Sequence, residues 1–154
     1  HLYRKSSIID IDMEVLWTER SAILKLVIPD TSLGNRRLDG IPIGALSRDQ
    51  NGKEYPFLDW TLLESSLGII SGDCFGFDGM PGFARFTLVR SPVYAWHDPT
   101  ELGERNAYRY TDQGVHRYHI RIIPDADQRR LEENAEYLHY KPAVHDWTNG
   151  MTSE

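Results

Sequence analysis

A single cysteine, Cys74, is all the thiol chemistry this sequence holds. That excludes an internal disulfide and a thiolate metal cluster, and it agrees with a reducing compartment. No stretch approaches the ~20 apolar residues of a membrane span. The first residues lack the charged-then-apolar pattern of a secretory signal. Basic residues are the minority, 17 Lys and Arg against 23 Asp and Glu, for a net charge of -6. No basic block with interleaved aromatics is present, so binding to a phosphate backbone is disfavoured. The expectation is a cytoplasmic protein that engages neither membrane nor nucleic acid. The chain begins at His1 rather than Met, from which a piece of a larger polypeptide is expected. Internal repeats and low-complexity tracts are also missing.

What is present is alternation. Ile9, Ile11, Met13, Val15 and Trp17 alternate with Asp10, Asp12 and Glu14, the period of a half-buried strand. Thr18–Ser21 is polar, and Ala22–Ile28 is apolar apart from Lys25. These two runs read as an antiparallel hairpin. Residues 30–40, with Gly34, Asn35, Arg36, Arg37 and Gly40, read as loop. Ile41–Leu46 reads as a short strand that Pro42 places at an edge or an end. Asn51-Gly52 is a tight-turn signal. Phe57–Leu63 and Gly68–Ser71 are further apolar runs, and Gly72–Gly79 reads as a strand running into a turn. Phe83–Arg90 directs Ala84, Phe86 and Leu88 to one face and Arg85 and Thr87 to the other. Residues 93–111 read as a long loop or insertion. In His116–Ile123, Tyr118, Ile120 and Ile122 alternate with Arg117, His119 and Arg121.

The period changes after Asp125. This residue suits a helix cap with Gln128 as its capping-box partner, and Leu131, Ala135 and Leu138 follow at helical spacing until Pro142. The 154 residues therefore predict one mainly β domain. Its architecture is an antiparallel sandwich of six to nine strands with one short helix near 126–140.

Few motifs carry chemistry. The histidines His1, His97, His116, His119, His139 and His145 are scattered, and His116 and His119 fall on opposite faces of a strand. No metal site is expected from them, since closed zinc sites need four ligands. Cys74 sits in an apolar, glycine-flanked run and reads as a small buried hydrophobe rather than a nucleophile. Glycosidic cleavage by paired carboxylates needs two groups about 5–9 Å apart. Asp59, Asp73, Asp78 and Asp112 lie beside aromatics or glycines, but turn-forming Asp is the commoner explanation. Tyr94, Trp96, Tyr108 and Tyr110 in the long loop are candidates for carbohydrate or interface contact. No residue is expected to be catalytic.

Several runs taken together resemble the β-rich region of glycoside hydrolase family 38 α-mannosidases of the bacterial and vacuolar type. Leu88-Val89-Arg90-Ser91-Pro92 is similar to that family's Leu-Leu-Arg-Ser-Pro signature. Asp112-Gln113-Gly114-Val115-His116 followed by Tyr118 resembles its Asp-x-Gly-x-His-x-Phe stretch. Gly68–Asp78 resembles its Gly-Val-Ala-Leu-Leu-Asn-Asp-x-Lys-Tyr-Gly-Tyr-Asp run. Trp17-Thr18-Glu19-Arg20 with Leu24-Lys25 resembles its Trp-x-Glu-Arg-x-x-x-Leu-Lys hairpin. The similarity covers roughly residues 8–142 in order. It departs at 98–110, at Asp73-Cys74, and at Asp125, where the family carries His.

The resemblance implies a sandwich of the galactose-mutarotase-like supersandwich kind, packed on a zinc-dependent catalytic domain of the same polypeptide. It also implies a parent enzyme that removes terminal α-linked mannose from oligosaccharides. The family's zinc, nucleophile and acid/base would lie in an absent N-terminal region, because its His-x-Asp motif has no match here. Zinc is thus expected in the parent and no cofactor in this chain. Arg90, Ser91, Pro92, Asp112, Gly114 and His116 are expected as structural signature residues. Arg90 is expected to be partly buried and hydrogen-bonded, with Asp112 a candidate partner. Two alternatives remain open: a stand-alone carbohydrate-binding module, and a mutarotase-like domain using His119 with a carboxylate.

Overall fold

The alternating runs become antiparallel strands in a computed structural model that describes residues 1–2, 4–29, 34–95, 101–103 and 107–139. Among these residues the strands are β1 (Ile9–Trp17), β2 (Ile23–Pro29), β3 (Arg36–Ile41), β4 (Gly44–Asp49), β5 (Tyr55–Pro56), β6 (Trp60–Leu63), β7 (Gly68–Ile70), β8 (Gly76–Met80), β9 (Phe83–Arg90) and β10 (Gly114–Ile123). One helix, α1 (Gln128–His139), follows. A six-stranded sheet runs β1-β10-β7-β6-β3-β4, and a four-stranded sheet runs β2-β9-β8-β5. The expected mainly β, sandwich-like fold with one late helix is therefore what the chain forms.

The six-stranded sheet is covered on both faces. Between the sheets, Phe57, Phe77 and Phe86 meet edge to face, with ring centroids 4.7 to 6.1 Å apart. Leu63, Ile69, Cys74, Ala84, Tyr118 and Ile120 complete this cluster, and Ile11, Met13, Leu26 and Ile28 pack against its rim. Each fully buried large side chain contributes about 1.5–3 kcal/mol. On the opposite face α1 lays Leu131 and Ala135 over Trp60, Ile70 and Ile123. Gly68 permits that approach. A Cβ on it would press on the Leu131 side chain and come within 2.7 Å of the Ala126 methyl.

The runs at 9–17 and 22–28 are strands, but they are not a hairpin. β1 registers with β10 from Ile9↔Ile122 to Trp17↔Gly114, and β2 pairs with β9. Residues 18–22 carry the chain from one sheet to the other, with Ser21 at φ 48. Periodicity identifies a strand's apolar face but not its neighbour. Placing the two in opposite sheets lets their apolar faces meet across the core.

Residues 36–40, expected as loop, form β3 together with Ile41, and the strand expected at Ile41–Leu46 is divided between the end of β3 and the start of β4. β3 pairs with both β4 and β6. The turn between β3 and β4 is Pro42-Ile43, and Gly44 leaves it at φ 106. The charges of β3 concealed a buried strand. Arg37 and Asp39 are both buried and satisfy each other, the guanidinium Nε donating to the two carboxylate oxygens at 2.9 and 3.0 Å. Gly72–Gly79 runs the other way from the expectation, bends first and strand afterwards. The helix cap is Asp127 rather than Asp125. The Asp127 carboxylate accepts the Arg130 amide at 2.8 Å, whereas Asp125 turns the chain at φ 51.

Candidate functional site

Four chain segments meet at one end of the sandwich, and backbone bonds hold them. Ser91, just beyond β9, is fully buried. Its amide donates to the Ala22 carbonyl and its own carbonyl accepts the Ser21 amide, both at 2.9 Å. The exits of β1 and β9 are thereby tied to the entry of β2. The stems of the long loop are tied as well. Val93 bridges Tyr110, the Tyr94 amide donates to Arg109 at 2.7 Å, and the Thr111 amide donates to Pro92 at 3.0 Å. Gln113 donates to the Glu19 carbonyl at 2.9 Å, closing the ring of segments.

Asp112 sits at φ 52, a conformation that Asp tolerates better than most residues. Its backbone carbonyl is 2.9 Å from His116 Nε2, so that nitrogen carries the proton and Nδ1 remains an acceptor in the neutral ring. Gly114 follows at φ 118, where a side chain would be strained. The His116 ring stacks at 15° on Tyr118, whose hydroxyl donates to the Leu88 carbonyl at 2.8 Å. Burial raises the Tyr118 pKa, and the nearby Asp112 and Asp73 charges add to the rise.

Beside these segments lies an open groove of about 970 Å³, lined among others by Glu54, Tyr55, Asp73, Phe75, Leu88, Arg90, Asp112, His116, Arg117 and Tyr118. Arg90 differs from the sequence expectation. It is exposed rather than partly buried, and no ion pair joins it to Asp112 among the described residues. Arg90 follows Val89, the last buried residue of its strand, and burial resumes at Ser91. Its guanidinium acts at a distance on Glu54. Burial would raise the Glu54 pKa, but the Lys25 hydrogen bond and the Lys25 and Arg90 charges outweigh it and lower the value.

Arg90 also borders a second, apolar notch of about 360 Å³, lined by Ala22, Ile23, Pro92, Val93 and Leu102 beside Ser21. Pro92 is exposed at its edge. Tyr94, Tyr108 and Tyr110 do not line the groove. Tyr94 is 69% exposed, Tyr108 accepts the Gly103 amide on its hydroxyl, and Tyr110 lies under the Arg20 guanidinium at 5.7 Å. Trp96 lies outside the described residues, as do His97 and His145, and the side chain of His139 is likewise not described.

The remaining candidates separate clearly. Cys74 is buried, and burial pushes its thiol pKa up, with the Asp73 charge adding to the rise. Asp78 is buried between Lys25 and Arg85, as a structural carboxylate would be. His119 lies on the face opposite His116. Its Nδ1 is 2.6 Å from Asp12 and its Nε2 is 3.7 Å from Asp10, so both ring nitrogens face carboxylates rather than a ligand. Asp10 is gripped by Arg121 through two bonds of 2.7 and 2.8 Å. Among the described residues, no group of three or more His, Cys, Asp or Glu side chains could hold a metal ion, and no helix is long and apolar enough to cross a membrane.

Sequence reasoning missed Glu54, Tyr55 and Arg117 as parts of the site. Asn51-Gly52 was the available signal, since a tight turn there brings Tyr55 and Pro56 alongside β8. No family model matches the chain, and no curated protein matches it either.

Proposed function

We propose that this chain is the non-catalytic β-sandwich region of an α-mannosidase-type glycoside hydrolase, of the galactose-mutarotase-like supersandwich kind. Its role is to scaffold and dock the zinc-binding catalytic domain of the same polypeptide. One observation carries the reading. Of the segments that resemble the family, 17–20, 88–92, 112–118 and the 72–76 part of 68–78 are far apart in sequence yet come together at one end of the sandwich, while Gly68–Ile70 pair with the far end of β10. A chance scatter of short matches has no reason to converge on one structural feature.

The chemistry of that end fits a docking role. The apolar notch beside the exposed Arg90 offers an aliphatic contact next to a cation, and a partner carrying a carboxylate beside an apolar side chain complements both. Retaining hydrolysis needs a nucleophile and an acid/base about 5 Å apart in a walled pocket. The buried carboxylates are committed to ion pairs, Asp78 to Lys25 and Arg85, Asp39 to Arg37, and Asp10 to Arg121, and the groove carboxylates carry no expected catalytic role in this reading. The chain alone is therefore expected to be inactive, with zinc supplied by the parent.

Two measurements test this. Coding sequence upstream of His1 should carry a His-x-Asp motif in the same reading frame; a frame that encodes no such domain sinks the proposal. The purified chain, incubated with zinc and an aryl α-mannoside, should give no turnover above a heat-denatured control. Turnover that is lost when one internal carboxylate is replaced would move catalysis into these residues.

A further inference from the structure

The groove at the end of the sandwich holds more exposed chemistry than a scaffold needs. Phe75 stands 60% exposed on its wall, while its neighbour Cys74 is buried. Phe75 lies just before β8 rather than in a strand, so no alternation of faces dictates that exposure. Around it stand groups of both signs: the carboxylates of Asp73 and Asp112, the guanidinium of Arg90, and the His116 ring with Nδ1 left as an acceptor. The Asp112 side chain accepts only the Thr111 hydroxyl, at 3.2 Å, among the described residues.

The geometry points to this groove as a non-catalytic binding site for a neutral oligosaccharide. A sugar ring presents an apolar C–H face, which stacks on an aromatic. It also presents hydroxyls that donate to carboxylates and accept from guanidinium. A site with both signs and little net charge suits a ligand whose every polar group does both. An anionic ligand is disfavoured, because with Glu54 paired to Lys25 and Arg117 to Glu14, Asp73 and Asp112 still outnumber Arg90. About 970 Å³ lies at the upper end of the ~300–1,000 Å³ typical of ligand sites, so more than one sugar ring fits. The identity of the sugar, α-linked mannose, rests on the glycoside hydrolase reading; the presence of a glycan site does not. Such a site would hold an outer branch of the substrate while the catalytic domain acts on a terminus.

The test is titration of the purified chain with α-linked mannotriose, maltotriose and a galacturonic acid trimer, followed by protein-observed NMR. Mannotriose should shift groove resonances, and Phe75→Ala should weaken binding about tenfold or more with an unchanged melting temperature. Tyr94→Ala, outside the groove, should bind like the parent chain. If maltotriose binds and mannotriose does not, the glycan site stands and the mannosidase reading loses its sugar. If no neutral trisaccharide shifts the groove at millimolar concentration, or the acidic trimer binds more tightly, the inference is overturned while the scaffold reading stands.

Discussion

Asp39→Asn is expected to be the most damaging single polar substitution in this protein. Asp39 is fully buried and collects three donors: Arg37 Nε, the Thr61 hydroxyl at 2.7 Å, and Arg48 Nη1 at 3.3 Å. Arg37 is equally buried and lies between Phe77, 4.5 Å from its guanidinium carbon, and Tyr55, 5.5 Å away. Replacing the carboxylate by an amide keeps the shape. It leaves one wholly buried cation and one nearly buried cation without an anion, and breaking a buried pair in this way costs about 3–5 kcal/mol. Arg37→Met should cost less, about 1–3 kcal/mol. Methionine fills the slot between two aromatic rings well, and Asp39 keeps Arg48 and Thr61. The double variant Arg37→Met/Asp39→Asn should lie about 1–3 kcal/mol above the sum of the singles, because removing both charges removes the penalty of stranding either. Urea unfolding followed by the fluorescence of the buried Trp60 reads all three. With a slope near ~2 kcal/mol/M, Asp39→Asn should move the midpoint down by roughly 1.5–2.5 M. Strict additivity, or an Asp39→Asn chain within about 1 kcal/mol of the parent, would refute the reasoning.

The Lys25–Glu54 contact should leave a signature at both ends of the pH scale. For Lys25, burial lowers the pKa but bonding to Asp78 and Glu54 raises it beyond the ordinary 10.5, so its contribution is complete below that value and fades as pH climbs through the folded value. For Glu54 the pKa is lowered from 4.5, so its contribution is complete above that value and fades as pH falls through the folded one. The stability difference between the parent and Lys25→Met should thus be widest between about pH 4.5 and 10.5 and shrink outside; a pH-independent difference refutes the assignment. Gly68→Ala should destabilise by about 1–3 kcal/mol, since its Cβ would press on Leu131 and the Ala126 methyl, and a smaller residue at 131 should recover part of the loss in calorimetry.

Strands with one clean face were legible from sequence. β9 was expected at Phe83–Arg90, where it is found, because Ala84 and Phe86 alternate with Arg85 and Thr87. The expected alternation then slips at a bulge opposite Leu24–Lys25, so that Thr87 and Val89 are buried and Leu88 is only half-buried. α1 was legible from Leu131, Ala135 and Leu138, all of which face the sheet. What failed was non-local. β1 and β2 were assigned to each other because they are neighbours in sequence, yet the core requires them in opposite sheets. β3 was read as loop because Arg37 and Asp39 look solvated until each is seen to neutralise the other. The groove was half legible. Leu88, Arg90, Asp112 and His116 were singled out by resemblance, but Glu54 and Tyr55 arrive through a turn whose destination only the sheet order fixes.

Arg37 and Arg90 divide the possible uses of a guanidinium between them. Arg37 is buried against a carboxylate and two rings, so folding accounts for it fully. Arg90 is exposed, and no hydrogen bond or ion pair engages its guanidinium among the described residues, while Ser91 beside it ties the segments together through its backbone. A residue that contributes little to the fold can be changed without unfolding it. Arg90→Gln is therefore expected to leave unfolding free energy within about 0.5 kcal/mol of the parent. Ser91→Leu, which forces a larger side chain into a fully buried position, should cost about 1–3 kcal/mol. The function of Arg90 then depends on what meets it from outside, and salt distinguishes the two surfaces it borders. A carboxylate docking at the apolar notch binds less tightly as ionic strength rises. A hydroxyl held in the groove loses little, because a neutral ligand has no charge to screen. Mannotriose titrations of the parent and Arg90→Gln at low and high salt should show weaker binding by the variant and little salt dependence in either. Loss of Arg90 with no effect on any trisaccharide, at either salt, would assign this residue to the notch alone.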